Sequence, residues 1–155
     1  WTVMTSSLKN GYTWAWGSDV SEKGFSFKNG IGIVPTHDSL LKVIGKDNKH
    51  FSDAGADKVG SAFDAPMDEK KITQEMRQKG YDNKTTTDDH GMHAVGLATD
   101  QNGKTYVKIK NSWGTPNDLK GYMFISEAYM KYKTMNIQIH KDAIPKDLKK
   151  KLGIK

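Results

Sequence analysis

The 155-residue chain contains no cysteine. That absence excludes disulfides, thiolate metal sites and any cysteine nucleophile carried by these residues, and it leaves the redox compartment open. Long apolar runs are missing too, and none approaches the roughly 18 residues a membrane-spanning helix needs. The chain opens at Trp1 without the basic-then-apolar pattern of a leader. It has four prolines and shows neither an internal repeat nor a low-complexity segment. What is present is a polar globular composition, 35% hydrophobic and 27% charged, long enough for one domain with a real core.

The net charge of +6 is unevenly placed. From Met130 onward eight lysines face two aspartates, whereas the first 129 residues balance at sixteen against sixteen. The excess belongs to the tail, not to the domain.

Four regions follow one another. Residues 12–35 are β-prone, with alternating Tyr12-Thr-Trp-Ala-Trp16 and a hairpin signal at Asn29-Gly30, closed by Pro35. Residues 36–88 form an insertion: a short apolar stretch at Ser39–Ile44, a polar Gly-rich loop at Asp47–Gly60, and a helix expected over Asp68–Gly80. Asp64 or Asp68 is placed to cap that helix and Gly80 to stop it. Residues 89–140 return to strands at Met92–Thr99, Tyr106–Lys110, Gly121–Ser126 and Met135–His140, with a helical turn at Glu127–Tyr132. Residues 141–155 form a basic arm, helical from Ala143 to Leu152. The order predicts an α+β domain around an antiparallel sheet.

Chemistry concentrates in Asp88-Asp-His-Gly-Met-His-Ala-Val-Gly96 and in Asn111-Ser-Trp-Gly114. An imidazole at His93 is suited to proton transfer near neutral pH. Antiparallel pairing across the Asn102-Gly103 turn returns Asn111 beside His93, where its amide oxygen would fix the ring tautomer, with Trp113 covering the bond. Spacing alone favours a structural His–Asn pair, since neither residue type is rare. His90 reads as a loop residue entering the strand, and a metal pair with His93 is disfavoured because i and i+3 on a strand point to opposite faces. His37, His50 and His140 read as surface or loop positions, Asp19 as a strand-end carboxylate, and Trp14 and Trp16 as core.

These segments together resemble the papain-like cysteine peptidases. The resemblance rests on His93-Ala-Val-Gly96, Lys110-Asn-Ser-Trp-Gly114 and Gly121-Tyr122, and spans roughly Tyr12 to Pro145. Trp16-Gly-Ser-Asp-Val20, the long insertion and Asp88–His93 narrow it to the bleomycin hydrolase and aminopeptidase C group. It implies the β-barrel-like half of that fold, with His93 as general acid/base, Asn111 as its orienter and Trp113 as the shielding indole. The family's Cys and oxyanion-hole Gln lie in a preceding helical half, so this chain should be inactive alone. The resemblance further implies a peptide substrate, no cofactor, no metal, a cytoplasmic setting and a homo-oligomer, a hexamer in this group.

For the tail the resemblance offers a cleft-entering arm that restricts cleavage to amino termini. A solvated basic helix and weak nucleic-acid contact are the other readings. The competing function for the whole chain is a non-catalytic binding fragment whose basic tail meets nucleic acid or a protein. Separation from the helical half also predicts a contiguous exposed apolar face.

Overall fold

A computed structural model of the chain describes residues 1–44 and 57–154. Helix α1 (Thr2–Lys9) precedes strands β1 (Trp14–Ser18), β2 (Phe25–Ser26) and β3 (Ile31–Gly32). The insertion holds a separate hairpin of β4 (Lys42–Ile44) with β5 (Asp57–Val59), then helix α2 (Gln74–Asp82). Next come β6 (His90–Thr99), β7 (Thr105–Lys110), β8 (Tyr122–Ser126), α3 (Glu127–Lys133), β9 (Thr134–Ile139) and α4 (Lys146–Leu152). Seven strands make one curled sheet in the order β2-β3-β8-β7-β6-β1-β9. The architecture is the expected α+β half-barrel. Among the described residues, its one departure from antiparallel pairing is β3 beside β8, which run parallel.

β1 sits between β6 and β9 and sends alternate side chains to opposite faces. Trp14 and Trp16 are buried on one face, while Ala15 is exposed on the other. Burying two indoles requires partners for their N–H groups. Trp16 Nε1 donates to Thr134 Oγ1 at 2.8 Å, and Trp14 Nε1 to the Met4 carbonyl at 3.2 Å. The core continues through Phe25, Met92, Val107, Ile109, Met123, Ile125 and Tyr129.

The β6–β7 hairpin decides the site. Asp100 Oδ1 accepts from the backbone N–H groups of Asn102 and Lys104, both at 2.9 Å, and Gly103 takes a positive φ of 81°. From this turn the register runs Thr99↔Thr105, Ala98↔Tyr106, Leu97↔Val107 and Gly96↔Lys108. Continued regularly, it would set His93 opposite Asn111. A bulge between Ala94 and Gly96 intervenes, so that Ala94 faces Ile109 and His93 faces Lys110. One extra residue moves every side chain beyond it to the other face.

Three local expectations change. Helix α1 carries no side-chain cap and is rich in Ser and Thr, so its propensity is weak. It is held by packing of Trp1, Met4 and Leu8 on the core. Helix α2 starts at Gln74, later than expected: Thr73, not Asp64 or Asp68, caps it by accepting from Met76 N at 3.3 Å. Residues 68–72 are recruited instead by the segment after β3, with Lys70 N donating to the Val34 carbonyl at 2.9 Å and an isolated bridge between Pro35 and Glu69. Gly80 lies inside the helix, where a Cβ would stand 2.8 Å from Thr86 Oγ1, and does not end it. The arm forms a short 3-10 turn at Lys141–Ala143 and a helix from Lys146, capped by left-handed Gly153. His50 and most of the loop expected over Asp47–Gly60 lie outside the described residues.

Candidate active site

The face of β6 that carries Met92 and Ala94 into the core also carries His90, the first residue of the strand, opposite Ser18 of β1. Asn111 follows the last residue of β7 and is 3% exposed. The parity set by the bulge puts these two together. His90 Nε2 lies 2.8 Å from Asn111 Oδ1. The same amide oxygen accepts from Ser112 N at 2.7 Å. Oxygen, not NH2, therefore faces the ring, and Nε2 must donate. That leaves Nδ1 as the nitrogen with a free lone pair or proton.

Trp113 covers the pair. Its ring stacks on His90 with centroids 4.6 Å apart and planes 27° from parallel. Phe25 and Phe27 hold the indole edge-on at 6.1 and 5.4 Å. Excluding water around the His90–Asn111 bond lowers the local dielectric and strengthens it.

The expected pairing of His93 with Asn111 is thus corrected: His90 takes that place. His93 is exposed on the opposite face, between Ala15 of β1 and Lys110 of β7. Asn111 and Trp113 stand together as expected, around a different imidazole. His90 opens the strand and does not lie on a loop before it. Because His90 and His93 face apart, they form no metal pair, and among the described residues no group of three or more His, Cys, Asp and Glu side chains is placed to hold a metal ion.

Two supports were not read from the sequence. One is Asn117, 7% exposed, which ties the loop after Trp113 to the sheet. Its Oδ1 accepts from Gly121 N at 2.6 Å and its Nδ2 donates to the Phe27 and Tyr122 carbonyls. Gly121, at φ 82°, closes this loop on Gly114; a Cβ there would lie 2.3 Å from the Gly114 carbonyl oxygen. This close approach explains why glycine precedes Tyr122.

The other support anchors the chain entering β6. Lys133, at the end of α3, is 0% exposed and reaches Asp19 Oδ2 at 3.4 Å, Glu22 Oε1 at 2.5 Å and Thr86 Oγ1 at 2.9 Å. Asp19 Oδ2 in turn accepts from Thr87 N at 3.3 Å, and the Ser18 carbonyl from Asp89 N at 3.3 Å. Burial pushes the Asp19 carboxyl up, but Ser21 and then Lys133 outweigh it and hold it below the ordinary range. Asp89 moves the other way, raised by burial and by the neighbouring Asp19 charge, against a bond from Thr87. Asp19 is thus a structural carboxylate that fixes the residues just before His90.

Beside His90 an open groove of about 690 Å³ runs over the outer sheet face. Gly17 and Gly91 pair across its floor, and His93, Lys110, Asn136 and Gln138 border it. A Cβ on Gly17 would meet the Asn136 amide at 2.6 Å. This face is polar, unlike the apolar face expected. Among the described residues the exposed large apolar side chains are Val59, Tyr81, Leu119 and Leu152, on four separate elements or loops. The basic arm leaves the sheet from Ile139, beside Trp14, the end of β1 remote from Ser18 and His90.

Known proteins resemble the chain in sequence and in fold. Residues 2–154 match the Peptidase C1-like family. Aminopeptidase C of Lactobacillus helveticus is 37% identical over 62 residues, covering 40% of this chain and 14% of that protein. Cysteine proteinase 3 of Dictyostelium discoideum is 50% identical over 38 residues, covering 24% of this chain and 11% of that protein. The crystal structure of PepW from Lactobacillus rhamnosis superposes with a TM-score of 0.59 at 23% identity, covering 99% of this chain but 29% of that one. The match thus covers under a third of the length of each of these relatives.

Proposed function

The chain belongs to the Peptidase C1-like family, and from that premise we propose that it is the His/Asn-bearing part of a cysteine peptidase of the aminopeptidase C and bleomycin hydrolase type. The observation that carries this reading is the His90–Asn111 bond under Trp113, with Nδ1 left free. In this reading His90, not His93, is the general acid/base, Asn111 orients it and Trp113 shields it. The nucleophile is a cysteine outside these residues, so the chain alone does not cleave peptides.

The roles follow from the ring's two nitrogens. Nε2 is committed to Asn111, so Nδ1 exchanges the proton. A thiolate beside the imidazolium attacks the peptide carbonyl carbon. His90 gives its Nδ1 proton to the departing amine, leaving a thioester. It then takes a proton from water, whose oxygen attacks the thioester. The proton returns to sulfur as the acid leaves. No cofactor enters. The polar groove floored by Gly17 and Gly91 supports an extended peptide lying beside His90.

Restoring the Cys-bearing region by co-expression and measuring peptide hydrolysis tests this. Activity that His90→Ala abolishes and His93→Ala spares is the expected result. Full activity after His90→Ala overturns the assignment.

A second reading, contact of the arm with nucleic acid or another polyanion, is favoured by α4, which carries Lys146, Lys149, Lys150 and Lys151 and buries no residue. Salt-sensitive retention on DNA, lost on deleting residues 145–155, is its signature; no retention at low salt dismisses it.

A further inference from the structure

Roughly 30 Å along β6 from His90, at the turn end of the hairpin, lies a second cavity of about 420 Å³ that the proposed peptidase chemistry does not use. Its walls are mostly apolar, with Ile31, Ile33, Phe63, Met67 and Phe124 around the ring of Tyr106. Its polar lining is one-sided. Asp64, Glu69 and Asp100 border it, and among the described residues no Lys, Arg or His does. The nearby Lys104 is not in the lining; it donates to the Met67 carbonyl, lies 3.8 Å from Asp68 and partly offsets the Glu69 charge.

The carboxylates act on the cavity. Glu69 spends Oε2 on Val34 N at 2.7 Å and Ser126 Oγ at 2.6 Å. Asp100 Oδ2 accepts from Tyr106 Oη at 3.3 Å. The Tyr106 hydroxyl is pushed up to about 12 by burial, then by Glu69 and Asp100, as a negative field at its oxygen requires. An apolar pocket of this size with a few convergent polar groups is the usual form of a small-molecule site. Here the groups select for charge: three carboxylates against one nearby lysine repel an anion and favour a cation.

We propose that this cavity is a binding site for a small apolar primary amine, its aromatic or branched body against Phe63 and Phe124 and its ammonium toward Asp100 and Glu69. The site is separate from the His90 groove and stands or falls independently of the peptidase reading.

The test titrates the intact chain with phenethylamine, phenethyl alcohol and 3-phenylpropionate, followed by backbone amide NMR. The amine is expected to saturate with shifts confined to Ala98, Tyr106, Phe124 and their neighbours. It should bind about tenfold more tightly than the alcohol, with no saturation by the carboxylate. Asp100→Asn keeps the turn's acceptor oxygen but removes the charge, and should reduce the amine's preference over the alcohol. Ala98→Leu fills the cavity on a half-exposed strand position and should weaken both. Equal affinity for amine and alcohol, shifts scattered over the surface, no saturable binding, or amine affinity unchanged by Ala98→Leu each overturns the proposal.

Discussion

The two faces of β6 at its His end differ in every respect that matters for chemistry. On the inner face His90 is stacked on Trp113, bonded to a buried amide and preceded by residues clamped to Asp19 and Lys133. On the outer face His93 stands exposed between Ala15 and Lys110 at the edge of a polar groove. The residues are three apart and chemically identical. Their difference comes from packing: one ring nitrogen of His90 is already committed and the ring plane is held, so in the proposed reaction its orientation costs nothing further. His93 has neither constraint.

The largest effect that can break this contrast is catalytic. With the Cys-bearing region supplied, His90→Ala is expected to lower peptide hydrolysis by at least about 10²–10⁴-fold, and His93→Ala by less than about twofold, in parallel steady-state assays. The reverse ranking would return the role to the outer face.

Next in size is the clamp. Lys133→Met strands the buried Asp19 carboxylate and should destabilise the fold by about 3–5 kcal/mol, with Asp19→Asn added on top recovering part of it. Urea unfolding of both variants measures this. Additive losses would show that the ion pair does not couple them.

A smaller effect sharpens the contrast without any assay of activity. The Nε2 proton of His90 should exchange slowly with water and give an observable imidazole NMR signal, while His93 gives none. Asn111→Ala should abolish that signal and cost about 1–3 kcal/mol through the donor it leaves unpaired.

The smallest concerns Glu69, at the far end of the sheet. Burial raises its carboxyl, against the bonds from Ser126 and Val34. A raised folded pKa means the native state binds the proton more tightly, so this group's contribution weakens as pH climbs through that range. Glu69→Gln keeps an acceptor for Val34 N and removes the buried charge. It should gain up to about 1 kcal/mol at neutral pH and nothing in acid, which thermal melts at two pH values would show.

Much of this was legible in the chain itself. Trp14-Ala-Trp16 alternates as a half-buried strand must, Asn102-Gly103 marks the hairpin, and Asn111-Ser-Trp113 was placed beside an imidazole. The family resemblance was likewise in the residues, and the match over residues 2–154 bears it out. What the chain did not announce is which histidine meets Asn111. A regular ladder counted back from the Asn102-Gly103 turn reaches His93, and only the bulge at Val95 reverses the parity and brings His90 round. Nothing in Ala94-Val-Gly96 announces a bulge except the glycine, and that is a weak signal.

The length of α2 and the existence of α1 escaped for a related reason. Asp68–Ile72 has helix-forming residues, yet Glu69 and Lys70 bond to Val34, which is 35 residues from Glu69 in sequence. Helix α1 owes its place to the Trp14 indole and the core beneath it. The sequence by itself determined the α+β class, the strand periods, the turn chemistry and the absence of any thiol, because these depend on neighbours within a few residues. The tertiary structure alone decided which imidazole meets Asn111, why Lys133 is buried and where the second cavity opens. Each of these depends on register and packing between segments distant in the chain, where a single extra residue inverts the outcome.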